Sequence, residues 1–156
     1  MPTLYIVRGL PGSGKSTFAR ELSAKTGALF VEPDMFLVED GVYRYTEARY
    51  SNAIIEAVDC IYAASRRNAD VIFADVLAPK REIQALINML VSRGDEYKVK
   101  VFTLKITPEE SKKRNVHEVG HKDIDRMAEQ WEDWPGEQVI NGLVRNGTEG
   151  TEVNHG

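Results

Sequence analysis

Gly9, Gly14, Lys15 and Ser16, in the run "GLPGSGKS", fill the spacing G-x-x-x-x-G-K-[ST] in full. That pattern builds a loop whose backbone N–H groups turn inward onto phosphate oxygens, glycine supplying the backbone angles and the lack of bulk. Gly9, Pro11, Gly12, Ser13, Gly14, Lys15, Ser16 and Thr17 together form the expected cradle for ATP. Lys15 would neutralise the β- and γ-phosphates, and the Ser16 hydroxyl would ligate Mg²⁺. A plain glycine-rich turn with a surface lysine is the alternative. Context speaks against it, because an apolar run (3–9) leads in and a helical pattern (15–27) leads out, so the loop opens a helix.

Carboxylates supply the second half of a phosphoryl transfer. Asp34, in "VEPDMF", follows the second apolar run and is the candidate general base for an acceptor hydroxyl; the alternative is a cap on the turn that follows. Glu32 is a weaker candidate for the same work. Asp75 ends "VIFAD", four apolar residues and an acid, the form of a residue that holds Mg²⁺ through water or positions substrate; a turn initiator is the alternative. Downstream, "KKRNVHEVGHKDIDRM" carries Lys112, Lys113, Arg114, His117, His121, Lys122 and Arg126. Arg114 and Arg126 are the candidate lid cations for transition-state charge, with Gly120 as a joint, whereas the lysines also read as a solvated helix face. His117 reads as structural or substrate-contacting rather than catalytic.

These groups need a frame that brings them to one edge. Apolar runs at 3–9, 28–33, 70–76 and 98–106 predict four strands. Helical stretches between them predict an α/β fold with a parallel sheet covered on both faces. The stretch 46–68 places Tyr50, Ile54, Val58 and Ile61 on one stripe, and 79–93 opens with Pro79 as its first helical residue. Thr107, Pro108 and Glu110 form a capping box, and 122–134 reads as helix up to Pro135. In such a sheet the ligand lies beyond the carboxyl ends of the strands, where Asp34, Asp75 and the 105–126 segment fall.

The chain has 156 residues, 42% of them hydrophobic, enough for one domain with its own core. The expected division is a kinase-type domain over 1–140 and an acidic, Gly- and Asn-rich tail over 141–156, the last ten or so residues disordered. Net charge is −4, but residues 1–126 carry 19 basic and 18 acidic side chains. A near-neutral body permits a short nucleic-acid contact without a wide basic platform. Cys60 stands alone at an apolar helical position and reads as a buried bystander. With no leader pattern and no apolar run of membrane-spanning length, a reducing cytoplasm is the expected setting.

The segments "RGLPGSGKSTFAREL", "EPDMFLVEDGVYRY", "VIFADV" and "KRNVHEVGHKDIDRM" resemble the P-loop kinase domain of polynucleotide 5′-hydroxyl kinases, and most of all their short AAA-type ATP-binding relatives. The resemblance covers about residues 3–134. It implies an adenylate-kinase-like domain of strand order 2-3-1-4, with a helical lid after the fourth strand, moving the γ-phosphate of ATP to a 5′-hydroxyl of RNA or DNA. Lys15 and Ser16 would serve the donor, Asp34 would be the base, Arg114 or Arg126 would meet the phosphates, and Asp75 would support the acceptor. The chain departs from the phage-type pattern at Leu37, where an arginine contacts the acceptor, and at Val76 and Leu77, where Thr and Asn stand. Arg44 and Arg81 are candidate substitutes for that arginine. Two other readings stay open: a small-molecule or nucleoside kinase of the same fold, and a nucleotide-binding regulatory module with the acidic tail as its partner element.

Overall fold

The computed structural model describes residues 1–94, 96–115 and 119–141, and the backbone of 153–154. Among these, six strands form one sheet in the spatial order β2 (Leu29–Val31), β5 (Val71–Asp75), β1 (Thr3–Gly9), β6 (Lys98–Lys105), β7 (Gln138–Asn141), β8 (Val153–Asn154). All neighbours are parallel except the β7–β8 pair. The order of the four predicted strands is therefore 2-3-1-4, and β7 adds a fifth parallel strand. A small antiparallel hairpin, β3 (Val38–Glu39) and β4 (Val42–Tyr43), stands apart. The expected tail lies mostly outside the described residues.

Period-two alternation in β1 explains the two cores. Leu4 and Ile6 face α2 (Glu47–Arg66) and α3 (Lys80–Val91) with Val58, Ile61, Phe73, Ile83 and Leu90. Val7 faces α1 (Lys15–Thr26) with Phe18, Ala19, Ile72, Phe102 and Ile140. Cys60 is partly buried against the first cluster. No helix of the described residues is long and apolar enough to cross a membrane.

Local chemistry sets most boundaries. Helix α1 begins at Gly14 (φ 95°) and ends at Gly27 (φ 77°), whose N–H donates to the Ser23 carbonyl at 2.8 Å. Thr46 Oγ1 accepts from Arg49 N at the start of α2, and Thr107 Oγ1 from Glu110 N at the start of α4 (Pro108–Lys113), as the capping box predicts.

Three boundaries differ from expectation. The second strand stops at Val31, because Pro33 opens a single 3-10 turn, Pro33–Phe36. Pro79 caps α3 rather than opening it. Helix α5 (His121–Glu129) ends well before Trp134: Arg8 donates to the Glu132 carbonyl at 2.9 Å and lies 4.0 Å over the Trp131 ring, drawing the chain out of helical geometry.

Candidate active site

The loop between β1 and α1 is folded around its own backbone. The Leu10 carbonyl accepts from Ser13 N and from Lys15 Nζ, both at 3.1 Å. A Cβ on Gly9 would lie 2.4 Å from Ser13 Oγ and 2.9 Å from the Leu104 carbonyl, so only glycine fits there. Gly12 has φ +76°, and a Cβ on it would come within 2.7 Å of both Cβ and the carbonyl oxygen of Arg114. Ser13 Oγ is buried and has no hydrogen-bond partner among the described residues. An orphaned hydroxyl inside a glycine-built cradle at a helix N-terminus suits an incoming anion.

The acids meet at the mouth of this loop. Ser16 Oγ donates to Glu32 Oε2 at 2.8 Å, so Glu32, at the end of β2, orients the hydroxyl that the motif reserves for a metal. Asp34 sits in the 3-10 turn, and Tyr43 Oη donates to its Oδ1 at 3.1 Å. Asp75 ends β5; Tyr50 Oη donates to its Oδ2, and Val76 N to its Oδ1 at 2.9 Å. Burial pushes the Asp75 carboxyl up to about 6, against the pull of Tyr50, Val76 N and Lys15. Burial likewise lowers the Lys15 ammonium below its usual range, opposed by Asp75, Asp34 and Glu32 in that order. Lys15 and the three acids thus form one electrostatic cluster. Both phenols are raised, first by burial and then by the acid each one contacts.

The two lid arginines are placed differently. Arg114 caps α4 with its backbone against Gly12, and Ser111, fully buried, donates its hydroxyl to the Pro11 carbonyl at 2.6 Å. The guanidinium is held by Glu110 Oε1 at 3.0 Å. Arg126, on α5, pairs with Asp123 at 2.9 Å and lies where its charge reaches the Tyr45 phenol. Lys112 ties α4 to α5 through Asp125 at 2.8 Å. Lys113, His121 and Lys122 are exposed, and His117 lies outside the described residues. Gly120 caps α5 at φ −60°, a conformation open to any residue.

Leu37, where the phage-type pattern named above has an arginine, is 1% exposed and part of the core here. Arg44, exposed, donates its N–H to the Leu37 carbonyl at 2.8 Å, and Arg81 is exposed in the first turn of α3.

Several contacts escaped sequence reasoning. Tyr43 reaches Asp34 because Asp40 (φ 51°) and Gly41 (φ 79°) make the tight turn between β3 and β4. Such an Asp-Gly pair between apolar residues is a readable hairpin signal. Arg8, an arginine inside an apolar strand, was the other visible clue. It is wholly buried and donates to the carbonyls of Leu77, Ala78 and Glu132, with Glu137 as its ion-pair partner at 3.1 Å.

A family model described as an AAA domain matches residues 4–136. The chain belongs to this AAA-domain family. An uncharacterised protein of Pasteurella multocida is 32% identical over 108 residues, 60% of each chain. The 2′,3′-cyclic-nucleotide 3′-phosphodiesterase of Mus musculus is 33% identical over 101 residues, 64% of this chain and 22% of that one. The chain therefore spans less than two thirds of either relative.

Among solved structures, a sugar kinase of Janibacter has a TM-score of 0.64 at 19% identity, covering 92% of this AAA-domain chain and 87% of the other. A chain of the Pnkp1/Rnl/Hen1 RNA repair complex has a TM-score of 0.66 at 22% identity, covering 83% and 43%. A gluconokinase of Sinorhizobium meliloti has 0.63 at 14%, covering 90% and 82%. At these identities the likeness is one of fold: an adenylate-kinase-like P-loop α/β domain shared by a sugar kinase, a gluconokinase and a chain of an RNA repair complex.

Proposed function

We propose that this protein is an ATP-dependent phosphotransferase that moves the γ-phosphate to an alcohol, the acceptor being the 5′-hydroxyl of RNA or DNA. One observation carries the reading. Two carboxylates at the mouth of the phosphate loop, Asp34 and Asp75, each already accept a hydrogen bond from a phenol hydroxyl. That is the contact an acceptor alcohol makes with its base.

The loop amides and Lys15 hold the triphosphate, and Asp34 takes the proton of the attacking hydroxyl as its oxygen bonds to the γ-phosphorus and the bond to the β-phosphate oxygen breaks. Asp75, held by Tyr50 and Val76, fixes the acceptor side. Arg114 leaves Glu110 to meet the transferring group, and Arg126, beside Tyr45, guards the acceptor flank. Among the described residues no three His, Cys, Asp or Glu side chains form a metal cage. Ser16, with Glu32 behind it, and Asp75 would hold the ion beside the phosphates. Mg²⁺, when bound, neutralises the β- and γ-phosphate oxygens.

The 5′-end assignment draws on the lid and hairpin resemblance and on the fold shared with the RNA repair chain. A second reading, a small-molecule kinase, draws on the burial of Leu37 and the fold shared with a sugar kinase and a gluconokinase. The deciding experiment offers γ-labelled ATP and Mg²⁺ with 5′-hydroxyl oligoribonucleotides, oligodeoxyribonucleotides, nucleosides and sugar acids in parallel, with Lys15→Ala as blank. Label on an oligonucleotide end is the expected outcome. Label only on a small acceptor replaces the first reading by the second, and label nowhere despite ATP binding removes both.

A further inference from the structure

A cavity of about 460 Å³ on the described surface takes no part in the donor site. Lys80, Arg81, Gln84, Trp134 and Pro135 line it. Its position is set by three contacts. Asp75 leads into residues 76–79, where Leu77 (φ 50°) and Ala78 give their carbonyls to Arg8. Arg8 also holds the Glu132 carbonyl, and Glu132 Oε1 accepts from Lys80 N at 3.0 Å. Trp134 then returns to pack its ring, half-buried, against the core beside α3. The cleft is thus the continuation of the sheet rim beyond Asp75. The first amide of α3 is already satisfied by Glu132, so the side chains, not the helix end, define the site.

Those side chains have one chemical theme. Lys80 and Arg81 are exposed, and among the described residues neither is in a salt bridge. The Trp134 indole shares the lining with them, and the Gln84 amide offers both a donor and an acceptor. Cations flanking an aromatic face on an open groove suit a single strand of nucleic acid: phosphates on the cations, a base on the ring.

We propose that this cleft is a subsite for the acceptor strand, in which Trp134 stacks a base downstream of the 5′ end and Lys80 and Arg81 hold the neighbouring phosphates. It rests on the polynucleotide reading and extends it from a terminal hydroxyl to a strand of several nucleotides. The cations supply salt-sensitive affinity, and the ring accepts any base because every base has a π-face.

Trp131 and Trp134 are the two tryptophans of the chain, so Trp131→Phe leaves Trp134 as reporter. A 5′-hydroxyl oligonucleotide of about ten nucleotides, within the usual span of one groove, is titrated into that protein across a salt series. Quenching of Trp134 is expected. Adding Lys80→Ala and Arg81→Ala is expected to weaken binding by about tenfold and to flatten the log–log salt dependence by about 0.7 per cation removed. The nucleotide-induced thermal shift serves as the folding control. No quenching, an unchanged slope, or equal quenching by an acidic peptide of the same charge overturns the proposal. Labelling of oligonucleotide ends by the wild-type chain is scored separately. Labelled ends with an unchanged slope sink the subsite alone, whereas unlabelled ends sink the polynucleotide reading whatever the slope does.

Discussion

Asp75, partly buried at the end of β5, shows what a desolvated carboxylate costs in stability. Its folded value of about 6 stands above the ordinary 3.8, with burial as the main cause. Between those values the folded chain holds more protons than the unfolded one, so stability falls as pH rises through that window, and at pH 7 the full cost is present. Asp75→Asn keeps an oxygen for Val76 N, turns its amide NH2 toward the Tyr50 hydroxyl as donor, and removes the charge. It is expected to raise Tm at pH 7, at about 2–4 °C per kcal/mol for a chain of this size, and to lose that gain as pH approaches 4. Transfer activity should fall in the same variant. Melting curves at both pH values check it; a lower Tm at pH 7 would mean the Tyr50 bond outweighs burial. That Lys15, Ser16, Asp34 and Asp75 would be brought together was legible in the sequence because each stands in a short motif at a strand end or loop. The tyrosines were not, since their bonds to the acids span 9 and 25 positions.

At the scale of elements, one residue of β1 joins three segments. Arg8 ties together the loop after β5, β6 through Thr103, and the exit of α5, with contacts spanning up to 129 positions. Short patterns carry no signal for such a junction. That is why the end of α5 was placed too late and β7, with only Ile140 fully buried, was missed. Arg8→Met should be costly for a reason beyond lost bonds: it leaves Glu137, 7% exposed, as an unpaired charge beside unserved carbonyls. The expected loss is about 3–5 kcal/mol in urea unfolding. Adding Glu137→Met should return part of it, because removing both charges avoids the stranded one. If the double variant is no better than the single, the three carbonyls, not the ion pair, dominate the junction. The frame around it was far more legible: the four parallel strands, α1 with its glycine end and the capping box all rest on local chemistry.

At the scale of the whole molecule, the described groups proposed for phosphoryl transfer gather at the carboxyl edge of a parallel sheet, where loops are free to present side chains while the strands stay buried. The donor half is built most tightly. Gly9 and Gly12 leave no room for a Cβ, Ser111 clamps the loop from α4, and Ser13 Oγ waits without a partner. A preformed cradle of this kind exists in the folded chain and not in the unfolded one, so any nucleotide it holds raises stability by mass action. At about a hundredfold excess over Kd the gain is about 2.7 kcal/mol, which for a chain of this length is about 5–10 °C in Tm. Lys15→Ala should lose most of that shift, because it removes the cation facing the β- and γ-phosphates while leaving the loop glycines intact. Adenosine, with no phosphate for the cradle, should shift neither protein. A melt of the wild-type chain that ATP and Mg²⁺ leave unmoved would deny the loop its ligand, since binding confined to the folded state cannot fail to stabilise it.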